Sequence, residues 1–208
     1  MADEMLAHAP TAPELDIEPE LMAEVVRGRR RFTTGEYHRM AEAGILGEGS
    51  RVELLAGEVI EMTPIGPLHS GRLSRLGELL IVRFAGRAVF MIQCSLRLDD
   101  FSELQPDLQM LKFRDDYYTG QLPTPADVLL LVEVGDSTAA FDRRVKLKLY
   151  ARAGVPEVWL LDLPQDVITV HRGPSRDAYA TNETFRRGMT LAPSAFPEDV
   201  FEVVALLG

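Results

Sequence analysis

The sequence predicts an α/β fold with a central mixed β-sheet flanked by helices. Three observations predict it. First, Val128-Leu129-Leu130-Leu131-Val132-Glu133-Val134 sets six apolar residues around one carboxylate, and Gly135-Asp136-Ser137-Thr138 closes the run. A short apolar run with β-branched ends reads as a strand buried on both faces. Second, a helical pattern follows it, and Val158-Trp159-Leu160-Leu161-Asp162 reads as another buried strand. Such a strand–helix–strand unit suits a right-handed crossover between parallel strands. Third, residues 51–55 and 58–62 alternate around Ala56-Gly57, which is a hairpin signal.

The remaining elements follow in order. Residues 32–40 read as a helix start capped by Thr33 or Thr34, with Tyr37, Met40 and Ala41 facing inward and Gly44 ending it. After the hairpin, Pro64 and Pro67 stop its second strand. Leu73, Leu76, Leu79, Leu80 and Phe84 then recur at helical spacing, and Gly86 ends that helix. Residues 88–98 alternate as one long strand, with a turn at 99–103 that holds Glu103. Residues 106–113 form a strand with Pro106 at its first position, where no ladder hydrogen bond is lost. Residues 114–127 are a loop that Tyr117 and Tyr118 anchor.

Beyond the central strand, residues 138–153 are a helix capped by Asp136 or Ser137, with Phe141, Val145, Leu149 and Tyr150 apolar and Gly154 and Pro156 as stops. Residues 167–171 and 178–180 close the sheet as an antiparallel ribbon, and 193–207 form a tail with a short helix or strand. Strand alternation places Leu129, Leu131 and Glu133 on one face and Leu130, Val132 and Val134 on the other.

With 208 residues, a single core is the expectation. The domain would span 32–208, and residues 1–31, acidic and proline-bearing, read as a loosely attached leader rather than a secretion signal. No apolar stretch reaches the roughly 18 residues of a membrane span. Cys94 stands alone, so an intrachain disulfide is excluded and the cytosol fits. The formal charge of −10 argues against gripping nucleic acid with the whole surface. Local basic groups exist at residues 27–31 and at Arg143, Arg144, Lys146, Lys148 and Arg152.

Four positions carry possible chemistry. Asp107 starts a strand after a proline, Glu133 sits late on the central strand, and Glu103 precedes Asp107. Lys146 shares a helix face with Asp142 and Tyr150 at i, i+4 spacing. Two carboxylates at adjacent strand ends suit a hard divalent cation. A nearby lysine can orient a water or stabilise charge on a phosphate. Each residue also has a plain structural reading. Pro-Asp starts ordinary strands, Glu133 could be a core acid satisfied by an arginine, and Lys146 a solvated helix residue. His69 could be a helix residue without a role, and Glu53 and Glu58 turn-flanking surface acids. Phosphate loops of the G-x-x-x-x-G-K form, G-x-S-x-G elbows and H-E-x-x-H motifs are absent.

Several stretches resemble the Uma-type restriction endonuclease family of the PD-(D/E)xK nuclease superfamily. They are residues 32–40, Arg51-Val52-Glu53-Leu54-Leu55-Ala56-Gly57-Glu58-Val59, Ser102-Glu103-Leu104-Gln105-Pro106-Asp107-Leu108, Glu133-Val134-Gly135-Asp136-Ser137-Thr138 and residues 150–162. The resemblance implies a restriction-endonuclease-like fold and phosphodiester hydrolysis of DNA dependent on Mg²⁺ (or Mn²⁺). It implies Asp107 and Glu133 as the metal carboxylates. Gly135 stands where the superfamily places its lysine, two residues after the second acid. The resemblance points instead to Lys146 on the next helix, with Lys148 as the alternative. Glu53 matches an acidic position in the family's first hairpin, and His69 a recurrent histidine.

Arg143, Arg144 and Arg152 are the residues expected against the phosphate backbone. Cutting two strands suits two sites about a twofold axis, so a homodimer is expected. Two other readings stay open: a non-catalytic nucleic-acid-binding or assembly module that keeps the nuclease fold, and a metal phosphoesterase for small substrates.

Overall fold

The capping and turn signals of the sequence mark real element ends in the computed structural model. The structure describes residues 28–47, 49–135 and 140–208, with the side chains of 140–143 outside the description. The leader expected at 1–31 lies almost wholly outside the described residues, as do the caps expected at Asp136 and Ser137. Helix α1 spans Thr34–Glu42. Thr33 caps it, in a capping box in which Thr33 and Glu36 satisfy each other's backbone N–H. Strands β1 (Val52–Leu55) and β2 (Glu58–Glu61) pair antiparallel about Ala56 and Gly57. Both turn residues have positive φ, 49° and 87°, as a type I′ hairpin requires. At Gly57 a Cβ would also fall 2.5 Å from the Arg31 Cβ.

Helix α2 spans Pro67–Arg83, with proline in its first turn, where its missing N–H is not needed. Strands β3 (Ala88–Ile92), β4 (Leu96–Asp99), β5 (Ser102–Leu104) and β6 (Leu108–Lys112) follow. A 3₁₀ turn, Pro125–Asp127, leads into β7 (Val128–Gly135), α3 (Ala140–Ala153) and β8 (Glu157–Asp162). Strands β9 (Val167–Ser175) and β10 (Ala178–Phe185) form the closing ribbon. The short pair β11 (Thr190–Leu191) and β12 (Phe201–Glu202) precedes α4 (Val203–Leu207).

The main sheet runs β10-β9-β8-β7-β6-β3. Only β7 and β8 in it are parallel, joined through α3, so the sheet is mixed. A second, antiparallel sheet runs β2-β1-β5-β4. Two apolar layers cover the main sheet. On one face α2 and α4 bring Leu73, Leu76, Leu80, Val203 and Leu206 against Leu130, Val132 and Trp159. On the other, α3 and the smaller sheet bring Leu149, Tyr150, Leu96 and Leu104 against Leu131 and Val158. Fully burying one such aliphatic side chain contributes about 1.5–3 kcal/mol, so β7 is the best-supported strand. Glu157 is fully buried and accepts hydrogen bonds from the Trp159 indole, Arg172 and the Ser194 N–H (2.6, 2.8 and 2.7 Å). It ties the chain after β11 to the sheet.

The structure corrects the sequence expectation at several places. The single strand expected over 88–98 is two strands in different sheets, because Gln93 turns the chain with φ 51°. Glu103 lies on β5 rather than in a turn. Tyr37 is buried as expected, but Ala41 is exposed and Thr34 is the other residue that α1 buries. Tyr118 is buried and donates to the Lys112 carbonyl (2.8 Å), whereas Tyr117 is exposed and anchors nothing by burial. Glu53 is not a surface acid but buried.

Leu129 does not share a face with Glu133. The β6–β7 register steps from Met110↔Leu130 to Leu111↔Val128, which makes Leu129 the extra residue of a bulge. It packs with the α2 layer, and Leu131 with the α3 layer.

Candidate active site

The β6–β7 register brings the two carboxylates together. Leu108 pairs with Val132, so the next step sets Asp107 opposite Glu133. Directly opposed residues have Cβ atoms about 4.5–5.5 Å apart. Asp107 thus enters from the start of β6 and Glu133 from the late part of β7, where the parallel β8 neighbour and the α3 connection begin.

Asp107 is held by three donors. The His69 Nε2–H reaches Oδ1 at 3.0 Å, the Gln93 side-chain amide reaches Oδ1 at 3.2 Å, and the Val134 backbone N–H reaches Oδ2 at 2.8 Å. His69 stands in the first turn of α2, so that helix aims its N-terminal end at Asp107. Gln93 also donates its own backbone N–H to the Asp107 carbonyl (3.1 Å). The turn that splits β3 from β4 is what delivers it.

Glu133 and Lys146 share the α3 side of the sheet. Lys146 is buried, 5% exposed, whereas Lys148 is exposed. Helix α3 therefore turns Lys146, not Lys148, toward the carboxylates. Its ammonium lies 2.9 Å from each Glu53 oxygen. Glu53 comes from β1 of the smaller sheet and also accepts the Gln105 N–H at 2.6 Å. The smaller sheet thus reaches into the site of the larger one.

Burial pushes the Glu133 carboxyl up to about 8. The charge of Lys146 and the Tyr150 hydroxyl, which donates to Glu133 Oε1 at 2.5 Å, pull the other way, while Asp107 and Glu53 add to the rise. Burial and the neighbouring carboxylates raise the Tyr150 phenol well above its ordinary range. Among the described residues the site sets the buried carboxylates of Asp107, Glu133 and Glu53 near the buried ammonium of Lys146.

The structure therefore brings Asp107, Glu133, Lys146, Glu53 and His69 into one cluster. It leaves Glu103 out of it: Glu103 accepts from His38 Nε2 (2.8 Å) and latches α1 onto β5. Lys146 is not part of a surface patch, contrary to the basic group expected from sequence. Arg144 is exposed. Arg152 is exposed and pairs with Asp177 through two nitrogens (2.9 and 2.7 Å). The side chains of Arg143 and Asp142 lie outside the described residues. Among the described residues, no group of three or more His, Cys, Asp and Glu is arranged to hold a metal. No helix of the described residues is long and apolar enough to cross a membrane.

Two residues that touch this cluster, Tyr150 and Gln93, do not stand out as site residues in the sequence. Tyr150 had a signal, its i, i+4 spacing from Lys146, but its ring read as core. Gln93 had none, since only the left-handed turn places it.

Comparison with known proteins agrees with this architecture. A family model described as "Uma2: Putative restriction endonuclease" matches residues 34–205. A search of the curated proteins returned no match. Among solved structures, the chain is similar to a crystal structure described as a putative nuclease belonging to DUF820 from Anabaena variabilis. The TM-score is 0.62 at 14% identity, over 76% of this chain and 90% of that one. The shared architecture is α/β with a mixed sheet flanked by helices, of the restriction-endonuclease-like type. The match over 34–205 covers most of the 208 residues, and the chain belongs to the Uma2 family of putative restriction endonucleases.

Proposed function

We propose that this protein is a Mg²⁺-dependent endonuclease that hydrolyses phosphodiester bonds of DNA, with Asp107 and Glu133 as the metal carboxylates and Lys146 as the assisting cation. The observation that carries the reading is the convergence of these three side chains at the meeting of β6, β7 and α3. The residues fit a hard divalent ion. Mg²⁺ takes one or two carboxylates and keeps several waters. Glu133, pushed up to about 8 by burial, is the group whose ionised form such a charge would favour. When bound, the ion supplies Lewis acidity at a phosphoryl oxygen and a lowered pKa for water.

The chain's own groups do the rest. Asp107 is locked by His69, Gln93 and the Val134 N–H, so its oxygens cannot swing away from the strand end. Lys146 sets a positive charge beside Glu133, where charge builds on a phosphate in flight. Glu53 fixes that ammonium. Arg143, Arg144 and Arg152 are proposed to meet the DNA backbone, and Arg152 must then exchange Asp177 for phosphate. A cytosolic homodimer and Mn²⁺ as a substitute ion belong to the same proposal.

Purified protein is expected to nick supercoiled plasmid with Mg²⁺, and Asp107→Ala to lower the rate by at least about 100-fold with the fold retained. Absence of cleavage by wild type with Mg²⁺ or Mn²⁺ on duplex, single-stranded and branched DNA would overturn the proposal.

A further inference from the structure

Tyr150 is a buried polar side chain to which none of the roles above assigns a task. Its side chain is fully buried, and its hydroxyl donates to Glu133 Oε1 at 2.5 Å. Once Glu133 is ionised, such an O–H to carboxylate bond is charge-assisted, one of the stronger kinds in proteins. The ring is fixed by the layer that holds Leu131, Leu149, Val155 and Val158. Tyr150 follows Lys146 by one helical turn, so one face of α3 carries both the ammonium and the hydroxyl to the same region. A position that needed only apolar contact would be served as well by phenylalanine. The hydroxyl is what couples the helix to the carboxylate.

We infer that Tyr150 is a positioning residue: it holds Glu133 Oε1, fixes the rotamer of that carboxylate, and leaves Oε2 to face a divalent cation. The inference rests on the metal site proposed above. A partner of this kind, one bond removed from the ion, typically changes metal affinity by about 10–100-fold when removed.

The test is titration calorimetry of the full chain with Mn²⁺ in the absence of DNA, joined to plasmid nicking across Mn²⁺ concentrations. Tyr150→Phe is expected to bind Mn²⁺ about 10-fold more weakly than wild type. Its nicking rate is expected to be low at limiting Mn²⁺ and to recover at saturating Mn²⁺, with the DNA KM unchanged. Wild-type affinity in Tyr150→Phe, or a rate deficit that persists at saturating Mn²⁺, overturns the inference. A second variant guards against loss of folding. Replacing Tyr150 by 3-fluorotyrosine keeps ring and hydroxyl and changes donor acidity, and it is expected to shift Mn²⁺ affinity; an unchanged affinity overturns the inference. Glu133→Gln separates the two proposals. If it binds Mn²⁺ as tightly as wild type, the metal site itself fails, and the role of Tyr150 with it.

Discussion

Glu133 is the buried acid of the proposed site, and its protonation bears on stability as well. Its carboxyl is pushed from an ordinary 4.5 to about 8 by burial. Between those values the folded chain holds a proton that the unfolded chain has released. Stability without metal is therefore highest below pH 4.5 as far as this group is concerned, and falls as pH rises toward 8. The loss is on the order of a few kcal/mol. Thermal melts in a chelator from pH 5 to 9 should show wild type losing Tm relative to Glu133→Gln as pH rises. Parallel curves for the two proteins would show that Glu133 is ionised throughout. The same shift means that a cation bound by Glu133 at pH 7 displaces a proton, which is how metal affinity couples to pH in such sites.

At the scale of elements, the ion pair between Lys146 on α3 and Glu53 on β1 joins that helix to the smaller sheet. Removing one partner of a buried pair costs about 3–5 kcal/mol, because the other charge stays buried. Lys146→Met should lower Tm and abolish cleavage. Adding Glu53→Gln should recover much of the stability, since glutamine still accepts the Gln105 N–H, but no cleavage. Chemical denaturation and nicking assays on the same preparations separate the two effects. A double variant no more stable than Lys146→Met would show that the unpaired Glu53 charge is not what destabilises the single variant.

The β1–β2 hairpin, α2 and β7 were legible in sequence because each rests on local rules: a turn dipeptide, a 3.6-residue stripe, an apolar run. Asp107, Glu133 and Lys146 were legible through spacing and family resemblance together. The burial of Glu53 was not, because it depends on a second sheet folding back on α3. The break at Gln93 and the bulge at Leu129 were also hidden, since both are set by pairing with β6 and no turn residue announces them.

The whole molecule carries a formal charge of −10, so the proposed contact with DNA would have to be local. The exposed cations of α3, Arg144 among them, would act against a repulsive background. Affinity for duplex DNA should therefore fall with salt at about 0.9 per phosphate met in the log–log slope, a shallow dependence if few are met. Arg144→Ala is expected to lower the slope of log affinity against log salt by about 0.9 and to leave the melting curve unchanged. An unaltered slope would place the DNA elsewhere on the surface.

The central claim is that two carboxylates opposed across β6 and β7 hold one divalent ion. It is tested most directly by a crystal structure grown with Mn²⁺ and phased at the manganese edge. The account predicts one strong anomalous peak within about 2.0–2.3 Å of oxygens of both Asp107 and Glu133. A map with no peak there, or a peak held by other residues while those two carboxylates stay unliganded, would contradict it.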